Sequence, residues 1–160
     1  MATCWYSWPL TIIRVLMGAF FLMEAEHQLA EGYVGGDGLE QKLRKGIDTA
    51  IPPYDWLIEH VFLKVDEPLT LFVIAGEMAV GAALVLGLFT RFTAIVAIVM
   101  NLNFLLMNGL HIDSGGVDAA FIVGELLLIS YAPYQALSVD RWLARRGVSA
   151  RFLSGEPAAR

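Results

Sequence analysis

The sequence predicts an all-α membrane protein: a four-helix transmembrane bundle with an amphipathic helical cap in its long first loop. Of the 160 residues, 57% are hydrophobic and 17% are charged, whereas about a quarter of the residues in a soluble domain are charged. Four apolar stretches of 16 to 21 residues approach or reach the roughly 17–25 residues of helix that cross a hydrocarbon core. The formal charge of −5 argues against a nucleic-acid partner, because such a protein needs a basic face.

The predicted spans are about 10–30, 69–89, 92–110 and 117–132. Pro9 stands where the first helix can begin and Pro133 where the last should end, because proline is tolerated in a first turn but not in a helix interior. We expect a single membrane domain over residues 1–147 and a polar C-terminal tail over residues 148–160.

The loop over residues 31–68 is too long for a simple connection. Apolar residues recur in it every four positions, with charged residues between them: Leu39, Leu43, Ile47 and Ile51. That period predicts a short amphipathic helix, which Pro52 and Pro53 should end. We expect the loop to fold as a helical cap on the outer membrane surface or over the mouth of the bundle.

The loops differ in charge. With four spans, both termini and the turn at Thr90 and Arg91 share one side, which has two acids and six arginines: Arg91, Arg141, Arg145, Arg146, Arg151 and Arg160. Loops rich in Lys and Arg stay in the cytoplasm. We therefore expect a multi-pass protein of the inner membrane with both termini cytoplasmic and residues 31–68 and 111–116 outside.

Small residues four positions apart occur in two spans: Ala75, Ala79, Ala83 and Gly87 in the second, and Gly116, Ala120 and Gly124 in the fourth. Such strips allow two helix backbones to approach closely. We expect both strips to lie at helix contacts and to serve packing alone.

Glu77 and Glu125 lie near the middle of their spans. An ionisable group at that depth is costly unless it faces the bundle interior and has a partner. Arg14, in the first span, is the candidate partner. These three residues are the candidates for ligand binding or proton relay, and no residue is assigned as catalytic.

A second set of polar residues lies toward the predicted outer ends of the spans. We call this set the outer polar funnel; its members are Glu24, His27, Asn101, Asn108, His111 and Asp118. Helical spacing places Asn101 and Asn108 on one face, and Asp118 and Glu125 on another. A purely structural reading stays open, in which these groups only fix the register of the helices.

Three histidines, His27, His60 and His111, fall on the predicted outer side and are the candidates for a metal or haem site. Their positions lack the close spacing that is typical of local ligand sets. We expect hydrogen-bonded or exposed histidines, with neither metal nor haem.

Three segments resemble the DoxX/DoxD family of membrane proteins: the run from Arg14 to Phe21, the run from Gly76 to Arg91, and Glu125 together with the closing run from Ser138 to Leu143. The second is the most specific, because the family has a glutamate, spaced glycines and a Gly-Leu-x-Thr-Arg turn there. The resemblance covers roughly residues 9–143. It departs at the end of the first helix, where the family often has a glycine and a lysine but this chain has Glu24-Ala-Glu-His27-Gln28.

The resemblance implies an integral membrane subunit of a quinone-linked redox system, similar to the small subunit of thiosulfate:quinone oxidoreductase, with quinone as the implied cofactor. The sequence itself contains no recognisable redox centre, so electron transfer would need a bound quinone, another cofactor or a second subunit. Whether the chain is catalytic stays open.

Two other functions stay open from the sequence. A non-catalytic scaffold or assembly subunit of a larger respiratory or redox complex would use the cap and the lipid-facing ridges to hold partners. A small transporter is a weaker alternative, because the chain is too short for an inverted-repeat carrier unless it oligomerises. Under each of these functions we expect contact with the lipid bilayer and either a partner subunit or a homo-oligomer.

Overall fold

A computed structural model describes residues 7–109, 112–131 and 137–146, and within these ranges the chain is helical, without a strand. The helices are α1 (Ser7–Ala30), α2 (Gly38–Ile47), α3 (Tyr54–His60), a 3-10 helix (Phe62–Lys64), α4 (Asp66–Leu86), α5 (Thr90–Asn108), α6 (Ile112–Tyr131) and α7 (Val139–Arg145). The predicted all-α class is therefore confirmed.

Three helices are long and apolar enough to cross a membrane. Helices α1, α4 and α5 have 24, 21 and 19 residues and mean hydropathies of 1.4, 2.2 and 1.6. Helix α6 has a similar length of 20 residues. Helix α4 ends three residues earlier than expected, because Gly87 takes the left-handed conformation (φ 67°) that commonly closes a helix.

The long helices pack in two close pairs, α1 with α4 and α5 with α6, and the two pairs meet through α4–α5 and α1–α6 contacts. The shared core contains Met17, Phe21, Val80, Leu84, Ala94, Ala97 and Leu128. Many large apolar side chains face outward; Phe72, for example, is 77% exposed. Exposed apolar surface on this scale is typical of helices that face lipid.

Helices α1 and α4 come closest at Gly18 and Gly81. A Cβ atom placed on Gly18 would lie 2.8 Å from the backbone oxygen of Gly81 and 2.8 Å from the backbone nitrogen of Val85. A Cβ atom on Gly81 would in turn lie 2.8 Å from the backbone oxygen of Gly18. Because the opposing atoms belong to the backbone, only glycine fits at this approach.

The expectation that the small-residue strip on α4 lies at a helix contact is wrong. Ala75 and Ala79 are exposed and Ala83 is only partly buried, whereas Gly87 is buried. Each residue turns a helix by about 100°, so a four-residue step drifts by about 40° and twelve residues drift by about 120°. The four residues of the strip therefore cannot all face one neighbouring helix, and α4 contacts α1 through Gly81 instead.

The expected helical cap over residues 31–68 is present as α2, α3 and the 3-10 helix. Its apolar side chains Leu39, Leu43 and Ile58 are buried against Met107 near the end of α5. The Ile51 N–H also donates to the Leu106 carbonyl oxygen at 3.3 Å. Helix α2 ends at Ile47, before the two prolines that were expected to stop it. The cap therefore lies over one end of the long helices, which we call the cap end.

A phenol also ties the cap to α5. The Tyr54 hydroxyl donates a hydrogen bond of 2.8 Å to the Asn103 Oδ1 atom. Burial raises the pKa of Tyr54 to about 12, so this hydroxyl stays protonated and able to donate at neutral pH.

The opposite end, which we call the turn end, contains the tight α4–α5 turn and α7. The Asp140 carboxylate accepts hydrogen bonds from the Phe89 N–H (2.7 Å), the Thr90 N–H (2.9 Å) and the Thr90 hydroxyl (3.1 Å). The Asp140 N–H donates in return to the Gly87 carbonyl oxygen at 3.1 Å. Asp140 thus satisfies free N–H groups at the start of α5, as a helix cap does, although it lies 50 residues away in sequence.

Candidate functional site

A cavity of about 180 Å³ lies at the cap end, between the long helices and beneath α2. Its walls combine aromatic and polar side chains: Phe20, Phe21, Glu24, Lys42, Glu77, Asn101, Phe104, Asn108, Val117 and Asp118. Helices α1, α2, α4, α5 and α6 all contribute to it. Such a mixture of apolar walls and a few polar groups is typical of a small-molecule site.

Glu77 lies on the buried face of α4, together with Ile74, Gly81 and Leu84, and is 1% exposed. Its Oε2 atom accepts a 2.8 Å hydrogen bond from Gln28 Nε2 of α1. The close α1–α4 approach brings these two side chains into reach. Glu77 therefore lies in the cavity wall with an amide as its partner, instead of the expected guanidinium.

Glu125 is fully buried on α6. Its Oε1 atom accepts a 2.6 Å hydrogen bond from Asn101 Nδ2, and Asn101 in turn lines the cavity. The Oε2 atom of Glu125 has no hydrogen-bond partner among the described residues. Asn101 therefore stands between the cavity and a carboxyl group that lies deeper between α5 and α6.

Two further polar pairs lie closer to the cap than Glu77 and Glu125 do. Asn108 Nδ2 donates to Asp118 Oδ2 at 3.1 Å. Lys42 Nζ of the cap lies 3.8 Å from Glu24 Oε1 and 5.4 Å from the centre of the Phe104 ring. Lys42 thus brings a cation over a ring and beside carboxylates, an arrangement in which each neighbour attracts it.

The structure separates Arg14 from the two glutamates with which it was expected to cluster. Its Nη2 atom donates to the Leu137 carbonyl oxygen, and the Asp140 carboxylate attracts its charge. The guanidinium also lies against Gly87, ten residues from Glu77 on α4, which is about 15 Å along a helix. Arg14 therefore belongs to the turn end, because its long side chain extends toward the nearer end of the helices.

The structure brings together four of the six residues of the outer polar funnel, Glu24, Asn101, Asn108 and Asp118, in the cavity wall. His27 is not among the wall residues; it is exposed and lies 3.2 Å from Glu31. His111 lies outside the described residues.

Two of the three histidines, His27 and His60, lie among the described residues, and each has a different neighbour. His60 stacks on Trp56 at the cap surface, with ring centres 4.9 Å apart, while His27 pairs with Glu31 on α1. Within residues 7–109, 112–131 and 137–146, no three His, Cys, Asp or Glu side chains are arranged to hold a metal ion.

Four residues of the cavity wall were missed by the sequence reasoning: Phe20, Lys42, Phe104 and Val117. Gln28, the partner of Glu77, was not missed in this way, because helical spacing places it on one face with Glu24. Lys42 gave no signal, because its placement depends on how a 38-residue loop folds back over the helices. The two phenylalanines are indistinguishable in sequence from the lipid-facing aromatic residues around them.

Comparisons with known proteins give one match. The sequence profile of the DoxX family matches residues 10–108, which include Arg14, Glu77 and Thr90 but neither Glu125 nor Asp140. No curated protein and no solved structure matches the chain. Because the match extends over more than half of the chain and includes all but the first three residues of the three candidate membrane spans, this membrane protein belongs to the DoxX family.

Proposed function

We propose that this protein is an integral membrane subunit of a quinone-linked redox system and that the cavity at the cap end binds the quinone head group. In this proposal α6 is the fourth span of a transmembrane four-helix bundle in the inner membrane, with both termini cytoplasmic. One observation carries the proposal: the cavity combines three phenylalanine rings with a buried carboxyl group, Glu77, between apolar helices.

The chemistry of the cavity suits a flat head group with two ring oxygens. Phe20, Phe21 and Phe104 supply faces and edges against which such a ring packs. The amide groups of Asn101 and Asn108 and the ammonium group of Lys42 are hydrogen-bond donors for its oxygens. At about 180 Å³, the cavity is smaller than the roughly 300–1,000 Å³ of sites for drug-sized ligands. It therefore accommodates the head group, while an isoprenoid tail would have to lie between helices or in lipid.

Reduction of a quinone to a quinol consumes two electrons and two protons. Glu77 lines the cavity and is placed to hold a proton there. Glu125 lies behind Asn101, and leaving a carboxylate with an unpartnered oxygen in this interior would be costly. The cost favours a neutral carboxylic acid at Glu125, which holds a second proton behind the cavity wall.

The electrons must come from another subunit or substrate. In the reaction that the resemblance implies, two thiosulfate ions each lose one electron and join through a new S–S bond as tetrathionate. Three carboxyl groups, Glu24, Glu77 and Asp118, line the cavity against one ammonium group, which disfavours an anion in it. We therefore place thiosulfate oxidation on a partner subunit and quinone reduction in this chain.

The first test measures binding of a short-chain quinone to the purified protein by native mass spectrometry and titration calorimetry. Phe104→Ala removes one wall of the cavity, and an aromatic contact contributes about 0.5–1.5 kcal/mol, so we expect binding to weaken by up to about tenfold. The matched control is Phe72→Ala, because Phe72 is 77% exposed on the outer face of α4. Equal quinone binding by both variants, or no quinone binding by the wild type, would reject the site.

The second test follows quinol formation with the partner subunit present. Glu77→Gln should slow quinol formation, because the amide cannot deliver a proton, while Glu26→Gln on the exposed face of α1 should not. A stable stoichiometric partner combined with no quinone binding would instead support the scaffold function.

A further inference from the structure

The cavity wall reaches the outer surface of the protein between two helices. Among the described wall residues, two are exposed, Phe20 of α1 at 46% and Val117 of α6 at 58%, whereas the others are buried or half-buried. A residue that lines a cavity and is also exposed marks the place where the cavity meets the surface. Because α1 and α6 are in contact, the two residues mark one opening, which we call the side opening.

The other boundaries of the cavity are held by polar side chains. The hydrogen bond of 2.8 Å between Gln28 and Glu77 joins α1 to α4, and two asparagine–carboxyl hydrogen bonds join α5 to α6. At the cap end, Lys42 of α2 lies 3.8 Å from Glu24 of α1. Between α4 and α5, no described wall residue of either helix is exposed. The side opening is therefore the route by which a ligand can reach the cavity without breaking one of these polar contacts.

Aromatic and sulfur contacts close the boundary between α1 and α6 on the turn-end side of the side opening. The Phe20 and Phe121 rings pack with their centres 4.8 Å apart. Three residues further along α6, a Cβ atom on Gly124 would lie 3.0 Å from the Met17 Sδ atom. Val117 lies one turn from Phe121 in the opposite direction, toward the cap end, where α6 begins. The side opening is therefore bounded by aromatic rings on its turn-end side.

The surface around the side opening is apolar. On α1, Leu16 and Met23 lie within about one turn of Phe20 and are 64% and 66% exposed, and Val123 on α6 is 59% exposed. Phe20 lies ten residues before the end of α1 at Ala30, which is about 15 Å along the helix axis. In a bilayer this position faces hydrocarbon, so a molecule that uses the side opening comes from lipid.

We propose that the side opening admits the ligand from the bilayer and that the hydrocarbon tail of a bound quinone lies in it, against Phe20, Val117 and Phe121, while the head group occupies the cavity. This inference rests on the proposed quinone site and adds the class of ligand, a quinone with a tail that arrives through lipid. At about 180 Å³, the cavity holds a head group and not a tail. A tail in the side opening exchanges lipid contacts for contacts with apolar side chains, so no polar group has to be buried.

The first measurement maps the tail with a benzoquinone whose short alkyl tail carries a diazirine, bound to the full-length protein in detergent and irradiated. Peptide mass spectrometry should place the cross-links in residues 20–24 and 117–121, and excess unlabelled short-chain quinone should suppress them. Suppressible cross-links on α4, α5 or the cap would overturn the inference, as would quinone binding without suppressible cross-links. If no quinone bound in any form, the quinone site itself would be rejected and this inference with it.

The second measurement compares the affinities of a ubiquinone with two isoprenoid units and of the same head group without a tail. Val117→Trp narrows the side opening, so it should weaken binding of the tailed quinone about tenfold more than binding of the tail-less head group, because the indole and the tail compete for space. The matched control is Val123→Trp, which changes the same residue type on the same helix at nearly the same exposure, outside the described cavity wall, and should leave both affinities unchanged.

The ratio of the two affinities decides the outcome. An equal ratio in Val117→Trp and Val123→Trp would overturn the inference, even where both variants bind quinone. A far-ultraviolet circular dichroism melt shows that each variant is folded, and the cross-link map of the wild type needs no variant.

Discussion

Substitution of Gly18 by alanine tests the closest contact in the fold. The added methyl group would lie 2.8 Å from the Gly81 carbonyl oxygen, 2.8 Å from the Val85 nitrogen and 2.9 Å from a Val85 methyl carbon. Two of these three atoms belong to the backbone of α4 and cannot move by a change of rotamer. The two helices must therefore separate, which would also pull Gln28 away from Glu77.

The size of the effect follows from two opposing terms. Overpacking costs about 1–3 kcal/mol, and we take a value near 3 because the clash is with backbone. Alanine gains about 1 kcal/mol over glycine in a helix interior. Gly18→Ala should thus lower the free energy of unfolding by about 2 kcal/mol.

Gly76→Ala on α4 is the matched control. Its methyl group would meet only the flexible Met100 side chain, at 3.4 Å and beyond. This variant should be as stable as the wild type or more stable by up to about 1 kcal/mol. Reversible unfolding in mixed micelles, followed by circular dichroism, measures both. If Gly18→Ala proved as stable as Gly76→Ala, the glycine contact between α1 and α4 would be refuted.

Two further variants test opposite ends of the molecule. Asp140→Ala removes the acceptor for the Phe89 and Thr90 N–H groups, and should lower the free energy of unfolding by about 2–4 kcal/mol in the same assay, because a cap is lost and a buried donor is left unpaired. Lys42→Gln should change stability by less than about 1 kcal/mol, because its ion pair with Glu24 is partly exposed, yet it should weaken quinone binding in calorimetry.

Each of these variants has a control of the same chemistry. Asp55→Ala removes another carboxylate that accepts a backbone N–H, but in an exposed position, and should have little effect on unfolding. Lys45→Gln removes an exposed lysine of α2 and should leave quinone binding unchanged. A stable Asp140→Ala protein would contradict the capping role, and unaltered quinone binding by Lys42→Gln would remove that lysine from the site.

Hydropathy was sufficient to predict the long helices, although not α7, and depth was sufficient to predict that Glu77 and Glu125 are buried. Their partners were not predictable, because the rotation of one helix relative to another depends on packing that a single sequence does not display. Gln28 is the partner of Glu77 because Gly18 and Gly81 allow α1 and α4 to approach closely. Asn101 is the partner of Glu125 because α5 and α6 pack closely.

The partners of Arg14 could not be predicted from the sequence for a different reason. Its position in α1 suggested a partner near the middle of the span, but a flexible side chain can reach about as far toward either end. Two acceptors of its charge, the Leu137 carbonyl oxygen and the Asp140 carboxylate, come from residues more than 120 positions later. Nothing in the local pattern around Arg14 indicates them.

The Asp140 contact has a consequence for the order in which the chain matures. The turn that it caps lies inside the segment matched by the DoxX profile, whereas Asp140 itself lies 32 residues beyond the end of that segment at residue 108. During translation, α1, α4 and α5 are therefore synthesised before the side chain that completes the α4–α5 turn. Contacts that span so much chain form late in folding. Completion of the α4–α5 turn is therefore a late step, which takes place only after α7 has been synthesised.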